Sequence, residues 1–395
     1  MKILTLTTLF PNNQQPTHGI FVKKRIEALA ELVQVKVIAP VPWSPNILRN
    51  NAKYRLYSQI PLYENHNGLE VFHPRYLVIP KIGRSLYGLL YFYSLKSYIM
   101  ALKKSYDFDL LDLHWAYPDG FAGVLLAKFL EKPVTITIRG TDLNLYPNYV
   151  LRREMISFAL KKANRVISVC DALKRQAINL GIEESKITVI SNGVDTTRFY
   201  PLNKKEARIK LGLPLNNRII LGAGHLIERK GFHHLIDAIH ILVEQGKYHD
   251  ILTVIVGEGD FRGNLERQVA RLKLELYVRL VGIKPNEELV YWYNAADIFS
   301  LVSSREGWPN VLFESLACGT PVVATAVWGT PEVINSEEYG LLVQKQEPRQ
   351  IAEALEKALE KKWDTNRLIK YARENTWDKV ARKVLLEFEK VLSHK

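Results

Sequence analysis

The sequence predicts an α/β protein built from two doubly wound domains, each a parallel sheet with helices on both faces. Short apolar runs of strand length alternate with amphipathic helical patterns along the chain, as such sheets require. The alternation restarts after about residue 200, and 395 residues are too many for one ordinary core. We therefore expect a first domain at 1–195 and a second at 196–376, followed by a last helical pattern at 377–395.

In the first domain, apolar runs predict strands and amphipathic patterns predict the helices between them. The predicted strands are residues 3–7, 35–39, 110–114, 134–138, 166–169 and 188–190. The predicted helices include 22–32, 120–130 and 152–163. An Asn-Gly pair and a closing proline mark irregular backbone at 191–201, which we interpret as the domain boundary.

The second domain repeats the pattern after this boundary. Its predicted strands are residues 219–222, 252–256, 279–281, 298–301, 322–324 and 341–343, and its last helix is 377–392. Ligands of doubly wound sheets bind at the carboxyl ends of the strands. The active site is therefore expected in a cleft between the two domains.

The net charge of +13 is concentrated in the first half, where residues 1–200 carry 26 Lys/Arg against 15 Asp/Glu. A first half with this much positive charge suggests a polyanionic partner, either nucleic acid or an anionic membrane surface that carries a lipid-linked substrate. The sequence contains no recognised nucleic-acid motif, so the membrane is the expected partner. The basic, aromatic stretch 75–104 is a candidate contact, or a core helix whose lysines reach the surface.

The two cysteines, Cys170 and Cys318, lie far apart and form no disulfide or metal pattern, which favours a reduced compartment. The first residues are too short and too polar for a signal peptide, and no uncharged apolar run reaches the roughly 18 residues of a membrane span. We expect a cytoplasmic protein that is peripheral on the inner face of the cell membrane.

Two carboxylates, Glu306 and Glu314, bracket a Gly-Trp-Pro-Asn turn that indicates the start of a helix with proline in its first turn. The unpaired N–H groups of that turn and the helix dipole favour an anion such as a diphosphate. Glu314 would lie about one turn inside the helix, roughly 6 Å along its axis. Carboxylates beside a phosphate site suit a ligand with hydroxyl groups, so the pattern favours a nucleotide-sugar. Simple helix capping is the alternative.

A glycine-rich turn at 222–231 follows the first strand of the second domain and opens a helix. Lys230 in this turn offers a point charge for a phosphate. Arg229 is expected to point elsewhere at the helix start. A second glycine turn at 257–260 also follows a strand, and by itself is a common turn.

Together these motifs resemble the donor site of the family 4 glycosyltransferases. The resemblance lies in Glu-x7-Glu at 306–314, Ala-Cys-Gly-Thr-Pro-Val-Val-Ala at 317–324 and Gly-Thr-Pro-Glu at 329–332, and extends from residue 1 to about 390. Members of this family are retaining enzymes of the GT-B fold: two doubly wound Rossmann-like domains with a cleft between them and a C-terminal crossing helix. The resemblance therefore implies that the helix at 377–395 packs back onto the N-terminal domain.

The resemblance also implies roles for the donor-side residues. Lys230 matches the phosphate-binding lysine, Glu306 the glutamate that holds the transferred sugar near the reacting carbon, and Glu314 the glutamate that binds the ribose hydroxyls. His225 stands where the family usually has arginine, so a weaker, pH-dependent donor replaces a permanent charge. The implied donor-binding set is Gly19, His225, Lys230, Glu306, Gly307, Asn310, Val311, Leu312 and Glu314, with the diphosphate on backbone amides around 310–312.

In the first domain, Gly19 follows the first strand and matches a family glycine that lets the backbone close over phosphates. His114 and Trp115 stand at the end of another strand. For His114, the interpretation as a buried structural histidine is slightly favoured over a substrate contact. Arg139 stands where many members carry a histidine near the sugar's outer hydroxyl; it stays protonated and cannot be a general base, but could stabilise departing negative charge. Asp142 could pair with it. The predicted catalytic residues are Glu306, Lys230 and Arg139, and the acceptor-side candidates are His114, Trp115 and Asp142.

The expected function is retaining transfer of a hexose-type sugar from a UDP- or GDP-sugar to a lipid-linked or polysaccharide acceptor. The opening Phe-Pro…His-Gly-Ile-Phe-Val-Lys at 10–23 is similar to transferases that build cell-surface polysaccharides such as teichuronic acid. No cofactor and no metal are expected, because the nucleotide-sugar is a substrate and fixed phosphate contacts can carry the rate effect. The alternatives are a nucleotide-sugar-binding protein without transferase activity, or an epimerase or phosphorylase on the same fold.

Overall fold

The computed structural model describes residues 1–44, 52–79, 86–344 and 347–393. Within them the chain forms two compact α/β units. The N-terminal unit comprises residues 1–192 and the C-terminal helix, and the C-terminal unit comprises Gly193–Thr376. No helix of the described ranges is long and apolar enough to cross a bilayer.

The N-terminal unit is built on a sheet with the strand order β10-β9-β8-β7-β1-β2-β5-β4, and β3 pairs with β6 beside it. The strands are β1 Lys2–Leu6, β2 Gln34–Ile38, β3 Val41–Trp43, β4 Tyr63–His66, β5 Leu69–Phe72, β6 Arg75–Leu77, β7 Leu110–His114, β8 Val134–Ile138, β9 Arg165–Ser168 and β10 Ile187–Val189. Every residue of β7 and β8 is buried, as expected for strands covered on both faces. The chain order reverses between β1 and β7, which makes this the topological switch point of the unit.

Helices connect these strands. They are α1 Ile20–Ala30, α2 Ala52–Ser58, α3 Tyr87–Ser105, α4 Phe121–Leu130, α5 Thr141–Asn144, α6 Val150–Lys162 and α7 Asp171–Asn179. The predicted stretch 75–104 is therefore β6 and α3, and its residues 80–85, with Lys81 and Arg84, lie outside the described residues.

The structure confirms every predicted strand to within one residue at each end. The edge of the N-terminal sheet is different, because an all-parallel sheet was expected and β4 runs antiparallel to β5. Asn67 and Gly68 join them with φ of 55° and 94°. Two successive positive φ angles are typical of a tight hairpin turn, for which Asn-Gly is the preferred pair.

The C-terminal unit has a parallel sheet with the order β13-β12-β11-β14-β15-β16, so its switch point lies between β11 and β14. Its strands are β11 Arg218–Ala223, β12 Ile251–Val256, β13 Val278–Gly282, β14 Ile298–Leu301, β15 Val322–Thr325 and β16 Gly340–Val343. Its helices are α8 Lys204–Lys210, α9 Phe232–Glu244, α10 Arg262–Arg271, α11 Leu289–Ala295, α12 Asn310–Ala317, α13 Thr330–Val333, α14 Pro348–Glu360 and α15 Thr365–Arg373.

The last helix, α16 Trp377–Ser393, belongs to the N-terminal unit. Its apolar stripe packs against α1 and the strand ends, with Val384 and Phe388 fully buried. The carboxylate of Glu387 accepts a hydrogen bond from Arg165 Nε at 2.5 Å and another from Thr188 Oγ1 at 3.0 Å. These contacts tie the C-terminal end of the chain to β9 and β10.

Candidate functional site

Glycines allow the loops at the switch point of the C-terminal unit to close on one another. Gly231 has φ of 70°, and an added Cβ would lie 2.0 Å from the carbonyl oxygen of Val302. Gly257 has φ of 148°, and its Cβ would lie 1.9 Å from the carbonyl oxygen of Gly224. Any side chain at either position would push the loops apart. The loops after β11, β12 and β14 therefore meet backbone to backbone.

This closure brings Lys230 to Glu306. Lys230 Nζ lies 2.7 Å from Glu306 Oε1, and the two side chains are 15% and 11% exposed. Residues Glu228–Lys230 form one 3-10 turn, and Ser304 N donates to the Arg229 carbonyl at 2.8 Å. The prediction that Arg229 points elsewhere was wrong, because Arg229 Nη1 donates to the Arg305 carbonyl and lies 3.7 Å from Glu306 Oε2.

The two cations control the charge of Glu306. Burial by itself would raise the pKa of Glu306, but Lys230 and Arg229 outweigh it and hold the pKa below its ordinary value. Glu306 is therefore a carboxylate at neutral pH, bound to an ammonium group that a phosphate could also bind.

Helix α12 begins at Asn310, after a short turn that follows Glu306. Pro309 was expected inside the first helical turn, and the structure instead places it one residue before the helix, with Gly307 in the irregular turn that precedes it. The amide of Leu312 donates to the Pro309 carbonyl at 3.1 Å, so this predicted diphosphate contact is already used in the turn. The amides of Asn310 and Val311 lie in the first turn of α12, at the positive end of the helix dipole.

An aromatic stack fixes the start of α12. Trp308 stacks on Phe313 with ring centroids 5.9 Å apart, Phe313 lies 5.3 Å from Tyr371, and Tyr371 stacks on Tyr339 at 3.9 Å. The Tyr371 hydroxyl donates to the Val333 carbonyl at 2.9 Å. The turn between Glu306 and α12 is thereby anchored on α15.

Glu314 lies one turn inside α12, as predicted, and accepts a hydrogen bond from the buried Tyr293 hydroxyl at 2.8 Å. Its burial raises the pKa of Glu314 to about 7. Glu306 and Glu314 thus differ in charge behaviour: the first is held ionised by cations, and the second titrates near neutrality. Either oxygen pair can accept hydrogen bonds from ligand hydroxyls when ionised.

His225 is exposed on the loop after β11, whereas Lys230 on the same loop is mostly buried. The His225 carbonyl accepts from Ile227 N at 2.9 Å, which makes a tight bend at this residue. In the glycine turn at 257–260, the Glu258 carbonyl accepts from Leu226 N at 2.8 Å. The turn therefore supports the loop that carries His225.

The switch point of the N-terminal unit is closed by Asp119. Its carboxylate accepts from Thr8 N at 2.8 Å and from Thr8 Oγ1 at 3.0 Å, and burial raises the pKa of Asp119 to about 8. His18 Nε2 lies 3.0 Å from the Thr8 carbonyl. Gly19 ends this loop with φ of 65°, and an added Cβ would lie 2.3 Å from the Leu9 carbonyl oxygen.

His114 and Arg139 form one buried cluster with Asp112. His114 Nε2 donates to Asp112 Oδ2 at 2.9 Å, and its Nδ1 accepts from Arg139 Nε at 3.1 Å and Nη2 at 2.6 Å. Desolvation lowers the pKa of His114 to about 4, so the ring is neutral, as these roles require. Arg139 Nη1 also donates to Asn192 Oδ1 at 3.1 Å.

Asp142 does not pair with the Arg139 guanidinium. Its carboxylate accepts from three backbone amides, those of Ala116 at 3.0 Å, Arg139 at 3.1 Å and Gly140 at 2.8 Å. Asp142 and His114 are fully buried. Trp115 is partly exposed, has φ of 87°, and lies 5.6 Å from Tyr146. Of the three acceptor-side candidates, Trp115 is the one that reaches the surface of its unit.

Three residues of these sites were missed in the sequence. Arg229 was excluded because helical geometry would point its side chain away from that of Lys230, although the two residues are adjacent in the sequence. Asp119 stands between proline and glycine after a buried strand, a general turn pattern that by itself did not single it out. Tyr293 gives no signal, because one tyrosine in an apolar helix is ordinary. The described residues hold no group of three His, Cys, Asp or Glu suited to a metal ion.

Family comparisons agree with this architecture. A model of the glycosyl transferases group 1 matches residues 203–375, and a model of glycosyltransferase family 4 matches residues 19–198. TuaC of Bacillus subtilis, a glycosyltransferase named for teichuronic acid biosynthesis, is 30% identical over 362 residues, which cover 90% of this chain and 88% of TuaC.

Solved structures share the fold. Sucrose-phosphate synthase from Thermosynechococcus elongatus has a TM-score of 0.80 at 21% identity, with both chains covered completely. HepE from Anabaena, solved in complex with UDP, has a TM-score of 0.74 at 20% identity, covering 99% of this chain and all of HepE. The fold is GT-B, and the chain belongs to the family 4 and group 1 glycosyltransferases.

Proposed function

We propose that this glycosyltransferase moves a hexose-type sugar from a UDP- or GDP-sugar to a lipid-linked or saccharide acceptor, with retention of configuration, in surface polysaccharide synthesis. The observation that carries the proposal is the Lys230–Glu306 pair beside the N-terminus of α12. It combines a cation and helix amides for a diphosphate with carboxylates for sugar and ribose hydroxyls. TuaC, whose printed name concerns teichuronic acid, and HepE, solved with UDP, support the pathway class and the donor class.

In the proposed reaction, the donor diphosphate replaces Glu306 on Lys230. The carboxylate of Glu306 is then released to accept hydrogen bonds from the sugar. The bond between the anomeric carbon and the phosphate oxygen breaks, the acceptor oxygen bonds to the same face of the sugar, and the leaving diphosphate takes the proton of the acceptor hydroxyl. Lys230 and the first amides of α12 stabilise the charge that develops on the leaving diphosphate.

The two units have different roles in this proposal. The C-terminal unit binds the nucleotide-sugar, since it contains Lys230, Glu306 and Glu314. The N-terminal unit binds the acceptor and an anionic membrane surface on the cytoplasmic side, since it carries most of the positive charge.

Saturation-transfer NMR of the purified protein with a mixed panel of UDP- and GDP-sugars tests donor binding. We expect signals from one nucleotide-sugar, lost in Glu314→Ala and kept in Glu337→Ala, an exposed glutamate of the same unit. Binding by no member, or equal binding by both variants, would contradict the donor site.

Product analysis tests the reaction itself. With the identified donor and a lipid-linked acceptor, the anomeric coupling constant of the product should match that of the donor sugar. An inverted product would contradict retention. Donor binding without any transfer would favour a nucleotide-sugar-binding protein, and conversion without an acceptor would favour an epimerase.

A further inference from the structure

Three neighbouring helices of the N-terminal unit share one outward surface. Helix α3 packs on α4, and α4 packs on α6. Lys96 Nζ of α3 lies 4.0 Å from the ring centroid of Phe129 on α4, and Phe121 of α4 lies 5.8 Å from Phe158 of α6. We call the outward side of α3, α4 and α6, with Tyr149 at the start of α6, the three-helix face.

Large apolar side chains project from this face. Tyr93 is 71% exposed, Val150 76% and Leu151 57%. The others are Met100, Phe129, Tyr149 and Phe158, all classed with the exposed large hydrophobic residues of the unit. Residues 149–151 form an uninterrupted apolar run at the start of α6. Grouped exposed apolar residues mark an interaction surface, whereas single ones are ordinary.

The same helices are strongly cationic. Helices α3, α4 and α6 carry Lys96, Lys103, Lys104, Lys128, Arg152, Arg153, Lys161 and Lys162 against the single carboxylate of Glu154. No ion pair joins any of these eight cations to a carboxylate of the described residues. Some exposed cations of the C-terminal unit do pair with carboxylates, as Arg262 does with Glu258 and Glu266, and Arg367 with Glu338.

We infer that the three-helix face docks on an anionic lipid bilayer, with the apolar side chains at the headgroup boundary and the cations on lipid phosphates. Cations interleaved with aromatic and aliphatic side chains match the charge and polarity of such an interface. A second copy of the chain is disfavoured, because a symmetric dimer would place two cationic faces against each other. The inference rests on the proposed function and deepens it, because a lipid-linked acceptor would lie in such a bilayer.

The structure also revises which part of the stretch 75–104 contacts the bilayer. Tyr76 and Tyr91 are buried against each other with ring centroids 4.9 Å apart, and Arg75 donates to the Ile60 carbonyl. Of this stretch, the side of α3 that carries Tyr93, Lys96 and Met100 belongs to the face. The alternative of a partly buried core helix holds for the opposite side of α3.

Vesicle co-sedimentation of the full chain tests the inference, with phosphatidylcholine vesicles that contain or lack phosphatidylglycerol. The charge variant is Lys161→Glu with Lys162→Glu, and the apolar variant is Val150→Asp with Leu151→Asp. We expect each to reduce partitioning onto anionic vesicles by more than about tenfold. The matched control is Lys205→Glu with Arg271→Glu, two exposed cations of the C-terminal unit, which should bind like the wild type.

Several results would overturn the inference. One is a wild-type protein that does not bind anionic vesicles, and another is a pair of variants that bind like the wild type. A third is a control that loses as much binding as the charge variant, because the effect would then come from net charge alone. RNA binding lost in the charge variant, with vesicle binding unchanged, would assign the face to nucleic acid. Nucleotide-sugar binding, measured by NMR on the same variants, should be unchanged. If the wild-type protein binds no nucleotide-sugar, the proposed function is contradicted, but the result on membrane docking still stands.

Discussion

The switch points of the two units are built in opposite ways. In the C-terminal unit, Lys230 and Glu306 form a partly exposed ion pair, and each could exchange its partner for a ligand group. In the N-terminal unit, His114 and Arg139 are buried and are satisfied by Asp112, Asn192 and each other. The same place in a doubly wound sheet can therefore hold an ion pair that reaches solvent or a fully buried internal network.

The difference identifies what makes a polar cluster available to a substrate. A buried network whose donors and acceptors are paired with protein groups gains little by releasing one of them. The Lys230–Glu306 pair is mostly buried but still reaches solvent, with side chains 15% and 11% exposed, so an incoming phosphate could take the place of Glu306 on Lys230. On this basis we expect donor chemistry in the C-terminal unit and a structural function for the His114 cluster.

Replacing Glu306 by Gln should have the largest effect. The change keeps the shape but removes the charge that Lys230 and Arg229 hold in place, so we expect kcat to fall by about 10²–10³-fold. Nucleotide affinity should not fall much, because losing Glu306 removes a competitor for Lys230 and offsets the lost contacts to the sugar. Steady-state kinetics and a nucleotide titration measure the two effects. Glu337→Gln is the control, and retained turnover in the Glu306 variant would remove it from the mechanism.

Replacing His114 by Leu should mainly affect stability. The change leaves Arg139 and Asp112 buried without their shared partner, which costs about 3 kcal/mol of unfolding free energy. Thermal unfolding measures this cost, and His249→Leu, an exposed histidine, is the control. A stable variant with no activity would make His114 a substrate contact and would break the comparison.

The same histidine predicts acid sensitivity. Its folded pKa of about 4 lies below the ordinary value near 6.5, so the unfolded chain binds a proton first as the pH falls. The stability that depends on neutral His114 is present above pH 6.5 and is lost as the pH falls towards 4. In His114→Leu this part of the pH dependence should disappear.

The fold was largely predictable from the sequence because strands buried on both faces are nearly continuous apolar runs. The β7 run Leu110–His114 and the β8 run Val134–Ile138 show this directly. The edge hairpin of β4 and β5 was not predicted, since its strands alternate in burial and only Asn67-Gly68 signals the turn.

The site was predictable only where spacing along one element determines position. Glu314 lies one turn into α12, as its distance from Glu306 along the chain indicated. The Lys230–Glu306 contact joins residues 76 positions apart, and no local pattern contains it. Whether a polar side chain is consumed inside the fold, as in Arg139, depends on partners from other elements. The spacing of residues along one sequence does not show which side chains will be paired in this way.

Replacing Gly231 by Ala tests whether loop closure positions Lys230. The added Cβ would meet the Val302 carbonyl oxygen at 2.0 Å, so the loops after β11 and β14 must separate. Gly212→Ala is the matched control, because Gly212 has a similar φ of 63° with nothing within 4 Å. We expect about 1 kcal/mol lost in the control from backbone strain, and about 2–3 kcal/mol together with weaker nucleotide binding in Gly231→Ala. Equal losses in both variants would mean that the close approach is unimportant.

The smallest predicted effect concerns Glu314, the carboxylate of the proposed donor site whose pKa lies near neutrality. With a pKa of about 7, its ionised fraction falls about tenfold between pH 8 and pH 6. A carboxylate accepts hydrogen bonds from ribose hydroxyls better than a carboxylic acid does, so nucleotide affinity should weaken over this range by up to about tenfold.

Calorimetric titration of UDP or GDP, whichever the protein binds, at several pH values measures this dependence. Glu314→Gln should bind weakly and without this pH dependence, whereas Glu306 stays ionised throughout and contributes no slope. The second phosphate ionisation of the nucleotide falls in the same range, and its slope must appear equally in both proteins. A slope that persists unchanged in Glu314→Gln would therefore belong to the nucleotide, and the ribose contact would have to be assigned to another residue.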